Sequence, residues 1–182
     1  VIADSQLDAT DNPGFGDAVI AFMNPGGIRA DLAYNNSSAG EAPGEITYNE
    51  IFTVQPFGNS LVTMSLTGTQ IDTLLEQQFD NPAPGQSRIL QVSNGFTYTW
   101  SQSAPTGNKV SNLMLNGVAI DPAATYRVTV NSFLADGGDN FVVLKEGTNR
   151  LGGALDLDAL EAYFVANSPV APGPQNRITV VP

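Results

Sequence analysis

The sequence predicts an α+β fold: one domain with a mixed, largely antiparallel sheet, hairpins and a few packed helices. Three observations carry this reading. Segments 60–67 and 126–131 alternate apolar and polar residues with period two. Val62, Met64 and Leu66 mark the first and Tyr126, Val128 and Val130 the second, the pattern of strands with one buried face. Ile71, Leu74, Leu75 and Phe79 recur at helical spacing and form one apolar stripe over about three turns. Two Asn-Gly pairs, at 94–95 and 116–117, lie between apolar runs. Each is expected to close a hairpin, because both central residues of the favoured two-residue turn need φ > 0.

In chain order, the opening phrase VIADSQLDA reads as helical. The run AVIAFM over 18–23 is continuously apolar, as expected of a strand buried on both faces. It ends at Asn24-Pro25-Gly26-Gly27-Ile28-Arg29, where proline stops a helix and Gly-Gly admits a tight turn. The glycine spacing is not that of a dinucleotide fingerprint, and a polar loop over 35–44 follows instead of a helix. Arg29 is read either as a structural ion pair or as a clamp on a ligand. Segment 46–52 (ITYNEIF) is expected to be a short strand entering a helical turn capped by Thr47 or Asn49. Phe57 follows between Pro56 and Gly58, in a turn where core packing is hard to arrange. Thr67 with Gln70, or Thr69 with Asp72, offers a capping box for the next helix, and Asp80-Asn81-Pro82 ends it. Phe96, Tyr98 and Trp100 share one strand face and are read as packing. Leu157, Leu160 and Phe164 mark a last helix with Asp156 as its cap and Ser168-Pro169 as its stop, before a closing strand over 177–181.

The chain is organised around 131–141, NSFLADGGDNF. A strand delivers Phe133, and Asp136-Gly137-Gly138-Asp139 then bends the backbone. A ring, two carboxylates and a glycine pair at a strand end are the materials of a binding loop, although a hairpin corner around a core phenylalanine uses the same residues. Asp136 is read as a turn residue that bonds its own backbone.

Composition narrows the chemistry. The 182 residues carry 7 cations against 18 acids, a net charge of −11, which argues against a groove for nucleic acid or an anionic membrane. There is no histidine and no cysteine, which excludes histidine general bases, thiolate nucleophiles and zinc sites built on either. No apolar run approaches the roughly 20 residues of a membrane span. The start at Val1, inside a helical phrase, is read as that of a piece cut from a longer protein.

Three phrases then stand in order: MNPGGIRADL, ITYNEIFTVQPFGNSLVTMSLTG and NSFLADGGDNF. Together they resemble the C-terminal, substrate-binding domain of the 5′-nucleotidase and UDP-sugar hydrolase family, over nearly the whole of 1–182. The resemblance implies that Phe57 and Phe133 sandwich a nucleobase and that Asp139 accepts hydrogen bonds from ribose hydroxyls. It implies that Arg29 faces the phosphate and ribose end, with Asn24 and, in some members, Asn59 near the base. It also implies an N-terminal metallophosphatase domain, absent here, that carries two divalent metal ions and the catalytic residues. A further arginine of the family precedes the first helix, upstream of Val1. This chain is thus expected to bind nucleoside or nucleotide without catalytic residues, metal or cofactor of its own. The expected parent is an exported hydrolase, extracellular, cell-surface or periplasmic, that releases phosphate from nucleoside 5′-phosphates. The alternatives are the same domain of a UDP-sugar hydrolase or of a 2′,3′-cyclic-nucleotide phosphodiesterase and 3′-nucleotidase. A different class, an extracellular carbohydrate-binding module using Tyr98 and Trp100, also stands.

Overall fold

In the computed structural model, which describes residues 1–35 and 40–182, nine strands form two sheets. The first contains β1 (Ile20–Met23), β2 (Ser60–Thr67), β3 (Gln91–Val92), β7 (Thr125–Asn131) and β8 (Thr148–Leu155), in the order β3-β1-β7-β2-β8. The second contains β4 (Phe96–Ser101), β5 (Val110–Leu115), β6 (Val118–Ala119) and β9 (Ile178–Val181), in the order β6-β5-β4-β9. Only β1/β7 and β4/β9 are parallel among the described strands, so the α+β, largely antiparallel reading holds, with two sheets in place of one. Five α-helices lie among the described residues: α1 (Ile2–Asp8), α2 (Tyr48–Val54), α3 (Gly68–Glu76), α4 (Ser132–Ala135) and α5 (Asp156–Asn167). Of the polar loop expected over 35–44, residues 36–39 lie outside the described residues.

The main core lies where the two sheets and α3 meet. Ile20 and Phe22 of β1, Met64 and Leu66 of β2, and Val128 and Val130 of β7 pack with Ile71, Leu74 and Leu75 of α3 and with Phe96 and Tyr98 of β4. The rings of Phe22 and Phe96 meet edge to face at 5.5 Å and join one sheet to the other. Trp100 packs its ring on Phe79 at 5.1 Å. A smaller cluster of Ile51, Leu157 and Leu160, with Ile2 and Phe164 against it, joins α1, α2 and α5.

Several polar members of the strand alternation, Thr63, Ser65, Thr129 and Asn131, are buried and not solvated. Thr63 and Thr129 are fully buried, beneath α1. Thr10, just past the end of α1, donates its hydroxyl to the Gln6 carbonyl at 2.7 Å. Its oxygen is therefore left to accept from Thr129 at 2.7 Å, and Thr129 in turn accepts from Thr63 at 2.7 Å. A helix that brings hydroxyls and amides to a sheet face can bury threonines that the period-two pattern assigns to water.

The helix starts follow the sequence closely. Thr47 with Glu50 and Thr67 with Gln70 both form complete capping boxes, opening α2 and α3. The strand expected at 46–47 is absent, and α2 begins at once. In α5 the N-cap is Leu155, and Asp156 is the first helical residue. The Asn-Gly turns divide. Asn116 and Gly117 both have positive φ, and β5 and β6 form the expected hairpin. At 94–95 only Gly95 has positive φ, the Phe96 amide bonds the Ser93 carbonyl at 3.3 Å, and the chain passes from one sheet to the other. A turn with φ > 0 only at its third residue splays its flanking strands instead of matching their twist. β3 therefore pairs with β1, and β4 pairs with β5 and β9.

The hydroxyl chain predicts the effect of one substitution. Thr129→Val keeps the volume but leaves the Thr63 hydroxyl without its acceptor and Thr10 without its donor. The expected loss is about 1–3 kcal/mol, read as a lower urea midpoint at unchanged slope. A variant as stable as the wild type would show that this polar layer adds nothing to stability.

Candidate functional site

Strand register brings the candidate residues to one edge of the five-stranded sheet. β1 and β7 are parallel, so Asn24, after β1, and Phe133, after β7, leave at the same end. Leu61 of β2 pairs antiparallel with Asn131, which puts the preceding Phe57 and Asn59 at that end as well. Ser60 pairs with Leu155, so Asp156 follows there too. Met23 pairs with Gln91, and the segment entering β3, with Arg88, reaches the same edge.

Asp139 is the centre of this edge. Its φ of 54° and ψ of 26° lie in the left-handed region, which non-glycine residues enter at a cost. The Asn81 amide holds the Asp139 carbonyl at 2.6 Å. One carboxylate oxygen, Oδ1, accepts from Arg88 Nη1 at 2.7 Å. The other, Oδ2, accepts from Asn24 Nδ2 at 2.8 Å. Asn24 in turn accepts, through Oδ1, from Asn131 Nδ2 at 3.0 Å. Asn131 is the N-cap of α4 and accepts the Leu134 amide at 2.9 Å. Each carboxylate oxygen thus has one donor and a second lone pair to offer.

Phe133 and Phe57 are 48% and 58% exposed, so neither is a core residue. No aromatic pair among the described residues includes either ring. Two features hold Phe133 beside the bend. Gly137 adopts a φ of 81°, and a Cβ on Gly138 would lie 2.6 Å from the Phe133 ring. The glycine pair is therefore required for close approach of ring and turn. Arg29 lies with its guanidinium carbon 5.9 Å from the Phe57 ring centroid, a cation–π contact, and donates to the Gly26 carbonyl at 3.3 Å. It thus flanks a candidate base-stacking ring, with a backbone carbonyl to steady it.

Asn59 braces the site from behind. Its amide donates to Asp156 Oδ2 at 3.3 Å and accepts from the Ser132 hydroxyl at 3.3 Å, next to Phe133. Burial raises the Asp156 carboxyl above its ordinary range, against the Asn59 hydrogen bond, which lowers it. Asp136 does not bond its own backbone through its side chain. It is 80% exposed and faces Arg150 at 3.5 Å, across from β8.

The structure therefore joins Asn24 to Asp139 directly, pairs Arg29 with Phe57, and links Asn59 to the helix that carries Phe133. It adds Arg88, Asn81 and Asn131, none of which the sequence reading gave a part in the site. Arg88 was obscured by the expected hairpin at 94–95. That pairing sets the segment 89–92 beside 96–100, whereas pairing with β1 carries the residues before β3 to Asn24. A cavity of about 790 Å³ against α1, β3 and β9 includes none of the six candidates in its lining. Its walls are mostly apolar, whereas the polar groups able to orient a ligand converge on Asp139. Among the described residues no group of three or more acidic side chains could hold a metal ion, and the sequence has no histidine or cysteine.

Comparison with known proteins identifies the family and the fold. The model of the 5′-nucleotidase C-terminal domain matches residues 1–146, a span that includes all six candidate residues. The trifunctional nucleotide phosphoesterase protein YfkN of Bacillus subtilis is 39% identical over 137 residues, 72% of this chain and 9% of that protein. The 5′-nucleotidase of Vibrio cholerae is 31% identical over 154 residues, 84% of this chain and 25% of that protein. The crystal structure of the 5′-nucleotidase precursor from Thermus thermophilus superposes with a TM-score of 0.83 at 37% identity, over 99% of this chain and 34% of that one. The chain thus spans about a third or less of each of these three proteins. A family match that contains every candidate residue, on a fold shared with a solved 5′-nucleotidase, leads to one assignment: the chain belongs to the 5′-nucleotidase C-terminal domain family.

Proposed function

We propose that the chain is the nucleotide-binding, substrate-specificity domain of an exported 5′-nucleotidase, one that hydrolyses nucleoside 5′-phosphates to nucleoside and phosphate. The observation that carries this reading is Asp139. Its carboxylate is held by a donor on each oxygen and stands at the bend that packs on a half-exposed phenylalanine. A base stacked on Phe133 or Phe57 gains roughly 1–3 kcal/mol, whichever base it is. A carboxylate that accepts from ribose hydroxyls adds selectivity for the sugar. Arg29, beside Phe57, supplies a cation toward the phosphate end.

In this reading the chain binds and orients, and the hydrolytic chemistry belongs to a companion metallophosphatase domain. Metal ions held by that domain would supply a nucleophile and charge neutralisation at phosphorus. The chain's own residues hold the nucleoside in place for that attack, which is a contribution of proximity and orientation. The similarity to a trifunctional nucleotide phosphoesterase supports a second reading, in which the parent accepts several classes of nucleotide ester.

Three outcomes test the proposal. The purified chain should release no phosphate from AMP with or without added divalent metal, since the sequence has no histidine and the described residues hold no acidic cluster for a metal; metal-dependent release by rigorously purified chain would end this division of labour. Phe57→Ala and Phe133→Ala should each weaken adenosine binding by about 1–3 kcal/mol with little change in melting temperature, because both residues are about half exposed. A large fall in melting temperature with unchanged affinity would make them structural instead. The wild type should prefer adenosine to 2′,3′-dideoxyadenosine by about 1.5–3 kcal/mol. Asp139→Ala should lose this preference and Asp136→Ala should keep it, as titration calorimetry at high ligand concentration can establish. Equal discrimination by wild type and Asp139→Ala would remove the ribose from the assignment.

A further inference from the structure

Asp139 has a cationic partner that no reading of the sequence supplied. Arg88 leaves the segment between α3 and β3, a stretch that docks on the Asp139 turn at several points. Asn81 donates to the Asp139 carbonyl at 2.6 Å, and Asn140 donates to the Asn81 side chain at 3.4 Å. The Asn81 amide nitrogen bonds the Gln86 carbonyl, and the Arg88 nitrogen bonds the Gln78 carbonyl at 2.8 Å, which closes the segment on itself. Arg88 therefore projects from a tied loop. Its side chain is 31% exposed, against 15% for Asp139, so the pair sits at the rim of the site rather than in the core.

The geometry gives Arg88 a part beyond loop closure. A carboxylate held at one oxygen can still swing about its Cβ–Cγ bond. One held at both oxygens by donors from different elements cannot. Asn24 alone fixes Oδ2, and its orientation is imposed through Asn131 by a backbone amide. Arg88 fixes Oδ1. With both donors present, each oxygen keeps one lone pair free, and the two free lone pairs have a fixed spacing and direction. A vicinal diol offers two hydroxyl donors at neighbouring carbons, which this arrangement complements. A fixed acceptor pair also spares the ordering cost that a swinging carboxylate meets on binding.

We propose that Arg88 is a specificity-determining positioning residue: by holding Oδ1 of Asp139 it sets the site's preference for a ligand with an intact ribose diol. This rests on the nucleotide-binding reading above and adds to it the group that makes the sugar selection sharp. Arg88 acts through Asp139 and is assigned no contact with the ligand.

The test compares adenosine with 2′,3′-dideoxyadenosine on four forms of the full 182-residue chain: wild type, Arg88→Gln, Arg88→Lys and Asp139→Ala. The quantity read is the ratio of the two affinities, with a melting temperature for each form. The wild-type ratio should be about ten or more, as expected of hydrogen bonds to a charged acceptor. Arg88→Gln should lower that ratio several-fold while binding of the dideoxy analogue changes little. Arg88→Lys should restore most of it, because the contact with Asp139 runs through a single nitrogen. A purely structural role would lower the melting temperature, or both affinities together, and leave the ratio unchanged. An unchanged ratio in Arg88→Gln, alongside a lost ratio in Asp139→Ala, overturns this proposal alone. A wild-type chain that binds neither nucleoside overturns the nucleotide-binding reading, and this inference falls with it.

Discussion

The site depends on one buried side-chain amide that cannot turn over. Asn131 accepts a backbone N–H through its oxygen, so its nitrogen must face Asn24. Asn24 must then present its own oxygen to Asn131 and its nitrogen to Asp139. A reversal anywhere in this series would set donor against donor or lone pair against lone pair, in a place where water cannot repair the mismatch. The direction of the whole series is thus inherited from the first turn of α4. The same residue starts the helix that carries Phe133, so the placement of the ring and the aim of the carboxylate have a common origin.

That origin is in turn a product of sheet register. Asn131 is the last residue of β7, between β1 and β2, and it is buried because both neighbours and α1 surround it. Slippage of β7 by one residue would exchange the apolar face that meets α3 and β4 with the hydroxyl and amide face beneath α1. Neither face could accept the other's residues. The threonine chain and the apolar core therefore specify the register together, and the register sets where the site residues emerge.

Much of this was legible in the sequence where the controlling physics is local. The part of the α3 stripe over Ile71, Leu74 and Leu75 and both capping boxes depend on residues within one or two turns of each other, although α3 stops at Glu76, short of Phe79 and of the stop expected at 80–82; the 116–117 hairpin depends on two backbone torsions. The grouping of Asn24, Arg29, Phe57, Asn59, Phe133 and Asp139 came from resemblance, and the structure gathers all of them at one sheet edge. What was not legible depends on partners distant in the chain. Thr63 and Thr129 look solvent-facing until α1 is set over them. Asn94-Gly95 looks like a hairpin until only its glycine takes positive φ and the flanking strands part. Arg88 is hidden behind that same misreading, since its nearness to Asp139 exists only once β3 lies beside β1. Asp136 looks like a self-capping turn residue, but an arginine from β8 is available to its carboxylate.

The edge strand β8 bears on whether another strand can pair with the sheet. It is exposed along its whole length, and an exposed eight-residue edge is a template on which another chain can add a strand. Its pairing with β2 is interrupted by two register shifts, one between Ser60 and Val62 and one between Thr63 and Ser65. Irregularities of this kind twist an edge and break the even spacing of its free N–H and C=O groups. Arg150, in the middle of the strand, is drawn onto the Ala135 carbonyl and Asp136, at the end of α4. The arginine that ties β8 to the turn before Asp139 thus links the irregular edge strand to the binding loop through one side chain.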